Sequence, residues 1–158
     1  MYLNSLLLRL FNGFLIILVS GIFLKCAGTY LLKDEDLIIE MSKTPCYGQC
    51  PVYTIKIDKN GKGLFEGIKN TEKNGSFSFK LSEEELEVLK QSFHRVRFFE
   101  MEDSYHLPVS DLPTTYLSYN SDGVHKRIMD YAGAPPELKT LEQEIETLVL
   151  SRKMKKAR

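Results

Sequence analysis

The chain has 158 residues, enough for one compact domain with a modest core once its apolar start and basic end are set aside, and too few for two. Its 21 basic and 21 acidic residues cancel to a formal net charge of +0, so no bulk field draws it to nucleic acid or other polyanions. A hydrophobic content of 43% with 11% aromatics is ordinary for a globular domain.

Residues 1–28 read as a signal peptide or N-terminal membrane anchor. The chain runs apolar from Gly13 to Leu24, with Arg9 upstream and Lys25 downstream. That length suits the core of a signal peptide better than the roughly 20 residues needed to cross a bilayer. Extending the run back to Leu6 takes in Arg9 and Asn12, and a charge inside a spanning helix is costly. Three fates stay open: lipidation at Cys26, cleavage after Gly28, or retention as a short anchor. Lys25 stands where a lipoprotein signal places a small residue, which weighs against the lipid. Under each fate the rest of the chain is expected to be exported to the cell envelope, and where the segment is retained or lipidated it holds the chain at the membrane.

The single domain expected over 34–150 begins with a strand at Leu37 to Met41. The Cys46-Tyr47-Gly48-Gln49-Cys50-Pro51 stretch then leads into a second strand, Val52 to Asp58. Alternation there puts Tyr53, Ile55 and Ile57 on one face and Thr54, Lys56 and Asp58 on the other. Asn60-Gly61 supplies a tight turn, so Gly63 to Gly67 folds back as the hairpin partner. Asn74-Gly75 precedes another alternating run, Ser76 to Leu81, which makes the first half a meander.

Ser82-Glu83-Glu84-Glu85 is a capping box flanked by Leu81 and Leu86 as a hydrophobic staple. The helix it opens buries Leu86, Leu89, Phe93 and Val96 on one stripe and is expected to end near Phe98. After a loop, Thr114 to Tyr119 and Val124 to Met129 read as a hairpin around Asn120 to Gly123. Pro135-Pro136 opens a second helix, which loses no hydrogen bond to a proline in its first turn and buries Leu138, Leu141, Ile145 and Leu148. Residues 151–158 form a basic C-terminal tail, expected to be solvated and frayed. The fold class is therefore α+β: an antiparallel sheet of about six strands with two helices packed on one face.

The Cys46-to-Tyr53 stretch, the Gly61-to-Gly67 hairpin, Asp111-Leu112-Pro113-Thr114 and Gly133-Ala134-Pro135-Pro136-Glu137-Leu138 together resemble a bacterial domain of unknown function. Its signature is Cys-aromatic-Gly-x-Cys-Pro-x-Tyr, and the resemblance covers roughly Leu37 to Leu150. The cysteine-proline motif is the specific part; the Asp-x-Pro-Thr and Gly-x-x-Pro pieces are weak alone. The resemblance implies an exported or lipoprotein-type domain and carries no activity with it.

Three chemistries compete for Cys46 and Cys50. In an oxidising compartment the pair forms a structural disulfide, with Gly48 letting the turn tighten and Pro51 starting a strand without a donor. Closing so short a loop removes only about 2 kcal/mol of unfolded-state entropy, so the bond shapes a corner more than it holds a domain. A redox-active pair is the sharper alternative, yet thiol oxidoreductases place a closer-spaced pair at a helix N-terminus, and a strand follows here. A metal site would need His106 or His125 beside two thiolates at a spacing zinc seldom uses, so no metal is assigned. His94 reads as a helix-surface residue.

Asp103, Tyr105, His106 and Asp111 crowd the loop before the fifth strand. Carboxylates near a histidine suit acid–base work, and Ser104 or Ser110 stands near, but no nucleophile elbow or Gly-rich phosphate loop accompanies them. The plainer reading has Asp111 capping the turn at Pro113 and Tyr105 covering the sheet edge. No cofactor and no catalytic residue is assigned. The expectation is a non-catalytic binding or structural module, with an envelope protein or a small molecule as partner. Its candidate surface comprises the disulfide corner with Tyr47, Gly48, Pro51 and Tyr53, together with Asp103, Tyr105, Asp111 and Pro113.

Overall fold

A computed structural model describes residues 32–157; the N-terminal segment with Cys26 lies outside the described residues. Strands β1 (Leu37–Lys43), β2 (Val52–Asp58), β3 (Lys62–Lys69) and β4 (Gly75–Lys80) pair antiparallel in chain order, the meander that alternation and turn chemistry require. At the β2–β3 turn the Asp58 carboxylate accepts the N–H groups of Asn60 and Lys62, each at 2.8 Å. Gly61 takes φ +76 there, a conformation that side chains resist. Those bonds explain how the Asp58 carboxylate is buried at the end of the strand.

Strands in the second half join the other side of β1. The hairpin β6 (Thr115–Ser121) and β7 (Val124–Asp130) docks through β6 antiparallel to β1. Two additional strands, β5 (Ser104–Tyr105) parallel to β7 and β8 (Lys155–Lys156) antiparallel to β4, complete the order β5-β7-β6-β1-β2-β3-β4-β8. The sheet thus has eight strands rather than about six. Each of the two extra strands is a pair of residues held by backbone bonds, too short to leave a two-residue period in the sequence. Both cover an edge that would otherwise present unpaired backbone groups. The C-terminal residues are not a frayed tail: Arg152 pairs with Glu85, and Ala157 donates its N–H to Ser76 at 2.9 Å.

Helix α1 (Glu83–Arg95) starts with both bonds of the capping box: the Ser82 hydroxyl accepts from Glu85 N–H at 3.1 Å, and the Glu85 carboxylate from Ser82 N–H at 2.7 Å. It stops at Arg95, three residues before Phe98. Arg97 then takes a left-handed φ of 53 and a short 3-10 turn, Phe98–Glu100, drops Phe98 edge-on against Phe93 with ring centroids 5.1 Å apart. Helix α2 (Pro136–Leu150) buries Leu138, Leu141, Ile145 and Val149; Val149, rather than the partly buried Leu148, closes the stripe.

Both helical stripes meet one face of the sheet in a single core with Ile39, Met41, Ile55, Ile57, Phe65, Leu117, Tyr119 and Ile128. Burial of such side chains, at about 1.5–3 kcal/mol each, supplies most of the drive to fold. Gly63 makes room in it: the Phe79 ring lies where a β-carbon would stand, 2.0 Å away. The opposite sheet face carries Glu40, Ser42, Lys56, Ser118 and Arg127 toward solvent, with the Arg127 guanidinium 4.4 Å above the Tyr116 ring.

Candidate functional site

Strand direction brings four connections to one end of the sheet: β1–β2 with the cysteines, β3–β4, β5–β6, and β7–α2. Cys46 and Cys50 stand as a close pair at disulfide-bonding distance, their Cα atoms 5.7 Å apart. Gly48 N–H donates to Cys46 Sγ at 3.2 Å, which tightens the corner from inside. Tyr47 at its tip is 92% exposed, and Pro51 leads exposed into β2. Asn70 Nδ2 donates to the Cys50 carbonyl at 3.2 Å, tying the corner to the β3–β4 connection. On the other flank Thr44 N–H reaches the Thr114 carbonyl at 3.0 Å and Thr114 N–H reaches Thr44 Oγ1 at 2.9 Å.

That second tie places Pro113, half-buried, beside the cysteine corner. Asp111 is exposed in the same loop at a left-handed φ of 68. Asp103 does not join this end. Its carboxylate pairs with Lys126 at 2.7 Å, a cation that also donates to the Met101 carbonyl at 2.6 Å. Tyr105 packs half-buried on the core in β5, and its hydroxyl accepts Glu102 N–H at 3.2 Å. His106 stacks on Tyr131 with ring centroids 5.1 Å apart, while His125 sits on β7 next to the opposite turn, far from the cysteines along the strand. Among the described residues, no three His, Cys, Asp or Glu side chains gather as a metal would need.

Tyr53 is where the sequence reading falls short. It was expected on the interaction surface and is only 2% exposed. Its hydroxyl donates to the Glu146 carboxylate of α2, which Lys43 also pairs with. Strand register puts Asp130, Thr115, Lys43 and Tyr53 side by side on the helix-facing side of the sheet. Lys139, Glu142 and Glu146 of α2 lie over them: Lys139 pairs with Asp130 and comes within 3.7 Å of Glu142. The seam between helix and sheet is therefore polar at this one end and apolar elsewhere. Asp130 and Glu142 are 1% and 5% exposed. Burial, with the Glu146 hydrogen bond next, pushes the Tyr53 hydroxyl far above its ordinary pKa and keeps it a neutral donor. Burial first, and then the nearby Asp130 charge, push the Glu142 carboxyl up to about 8.

A signal for this seam was present in the phase of the residues. Asp130 follows buried Ile128 by two and Tyr53 precedes buried Ile55 by two, so both share the core face; Glu142 lies within the Leu138-to-Val149 stripe. Binary patterning counts such positions as apolar or surface and passes over them.

Next to the seam, a cleft of about 320 Å³ opens between the cysteine corner and the end of α2, lined by Pro51, Tyr53, Asn70, Glu146, Leu150 and Met154. A larger groove of about 780 Å³ runs between the helices over Val88, Leu89 and Leu148. It is shallow and carries none of the motif residues, so the smaller cleft is the one that joins the motif to buried polar groups. These features define the class: an open α+β sheet under two helices, its loop end stiffened by a cysteine corner and its helix seam pinned there by charged groups.

The chain belongs to the family described as a domain of unknown function (DUF6438), whose model matches residues 37–149, from β1 through α2. No curated protein matches it.

Proposed function

We propose that the protein is a non-catalytic binding module of the cell envelope, tethered to the membrane by residues 1–28 and presenting the cysteine end of its sheet to an envelope protein. The observation that carries this reading is the convergence at that end: a stiffened corner, cross-tied loops, and the exposed apolar side chains Tyr47, Leu107, Val109 and Leu112. Recognition loops on a rigid sheet are the usual arrangement for binding, and exposed aromatic and aliphatic groups there are its usual anchors. The close pairing of Cys46 with Cys50 supports export, since disulfides persist outside the reducing cytoplasm. Photo-crosslinkers placed in cells at Tyr47, Leu107 and Leu112 should each trap the same protein from the envelope fraction, and one at Asp122, on the opposite turn, should trap none. Loss of that pattern, or recovery of the chain in the cytoplasm, rejects the proposal.

One observation favours thiol–disulfide exchange as a second reading. The Gly48 N–H points at Cys46 Sγ and would steady a thiolate there. Under this reading the purified chain turns over a model disulfide substrate and Cys50→Ser abolishes turnover; a change in stability alone leaves the binding role.

A further inference from the structure

The polar seam contains more negative than positive charge, and the excess is buried. Lys43 is committed to Glu146, which also holds the Tyr53 hydroxyl. That leaves Lys139, half-exposed, as the cation touching both Asp130 and Glu142. Thr115 is buried beside Asp130 in the register, and Tyr105, whose hydroxyl accepts Glu102 N–H, is the partner of Asp130 on the edge strand. Two carboxylates cannot share one half-solvated ammonium in so dry a place without one of them keeping a proton. Apart from the Lys139 ammonium paired with Oδ2, neither Asp130 oxygen has a hydrogen-bond donor. A protonated Glu142 supplies that donor.

We propose that Asp130 and Glu142 form a proton-linked clamp: a single proton held between the two carboxyls fastens α2 to β7, and its loss loosens the helix from the sheet. The clamp involves groups from three directions, β7 with Asp130, α2 with Lys139 and Glu146, and β1 and β2 with Lys43 and Tyr53. It stands independently of what the loop end binds.

The sign follows from which state holds the proton more tightly. Burial and the Asp130 charge raise the folded carboxyl above its unfolded value of 4.5, to about 8. The folded chain therefore binds one more proton than the unfolded chain between those values, and stability falls as pH rises through that window. The contribution is whole below about pH 4.5 and gone above about pH 8. The three histidines are exposed, outside the buried seam.

Thermal unfolding of the full chain at closely spaced pH values tests the clamp. The midpoint should fall by roughly 5–10 °C between pH 5.5 and 8.5. Glu142→Gln keeps a donor toward Asp130 without a titrating proton, and its midpoint should be flat across the same window. A slope that persists in Glu142→Gln, or a flat wild-type profile, overturns the proposal. If the variant fails to fold, carbon-13 spectra of labelled glutamate carboxyls in the native chain decide instead: one carboxyl titrating above about pH 7 supports the clamp, and all titrating below about pH 6 reject it.

Discussion

Tyr53 of β2 donates its hydroxyl hydrogen to Glu146 of α2, a residue 93 positions further along the chain. The last residue of the cysteine motif is thus an anchor for the second helix. Because Lys43 pairs with the same carboxylate and faces Tyr53 across the β1–β2 ladder, the start of β2, the end of β1 and the last turns of α2 are fixed together. The cysteine corner springs from those two strand ends, so its position depends on this contact.

Tyr53→Phe should therefore cost about 1–2 kcal/mol, the worth of a buried hydrogen bond to a charged group whose other partner remains. Glu146→Ala should cost more, about 3 kcal/mol, because it strands the largely buried Lys43 ammonium as well. Urea unfolding followed by circular dichroism measures both; equal, negligible effects would show that the contact is not an anchor.

Reduction of the cysteine pair should leave the domain folded. A loop closed over a sequence separation of 4 contributes about 2 kcal/mol, while the core beneath it contains some twenty buried apolar side chains. Cys46→Ser with Cys50→Ser should lower the unfolding midpoint by several degrees with an unchanged far-ultraviolet spectrum. Collapse of the fold would contradict a merely local corner.

Acid should weaken the joint between α1 and the C-terminal segment. The Arg152 guanidinium first, and the Ser82 backbone N–H second, hold the Glu85 carboxyl down at about 2 from 4.5. A depressed carboxyl stabilises above its unfolded value and loses that contribution as pH falls from about 4.5 through about 2. Since Glu85 is more than a third exposed, solvent screening reduces the effect to about 1 kcal/mol. Arg152→Ala should flatten the corresponding acid limb of a stability–pH profile while leaving the limb near neutrality in place.

Gly63→Ala places a methyl group inside the Phe79 ring and should cost about 2–3 kcal/mol by overpacking. A second change, Phe79→Leu, should recover part of that loss even though it is destabilising alone. Thermal midpoints of the two single variants and the pair measure this coupling; simple additivity would place the strain elsewhere.

The six longer strands and both helices were legible because each carries its own local signal. Alternation marks Val52 to Asp58, Asn60-Gly61 marks the turn after it, and Ser82 with Glu85 marks the start of α1. The end of α1 was misplaced by three residues, since only the left-handed backbone at Arg97 breaks a stripe that otherwise continues to Phe98. In the same way the cysteine spacing pointed to the corner and the loop from Asp103 to Pro113 to a surface, but not to Asp103 being spent on Lys126.

By itself the sequence determined the layers of this protein, α+β with two stripes facing one sheet, because periodicity and capping are properties of neighbouring residues. The tertiary structure alone decided the two edge strands, the role of Tyr53 and the polar seam. β5 and β8 consist of backbone bonds to strands far along the chain, and Asp130, Glu142, Lys43 and Glu146 become a cluster only when register aligns β7, β1 and β2 beneath α2. Charged groups separated by such distances along the chain interact strongly only once folding has removed the water between them.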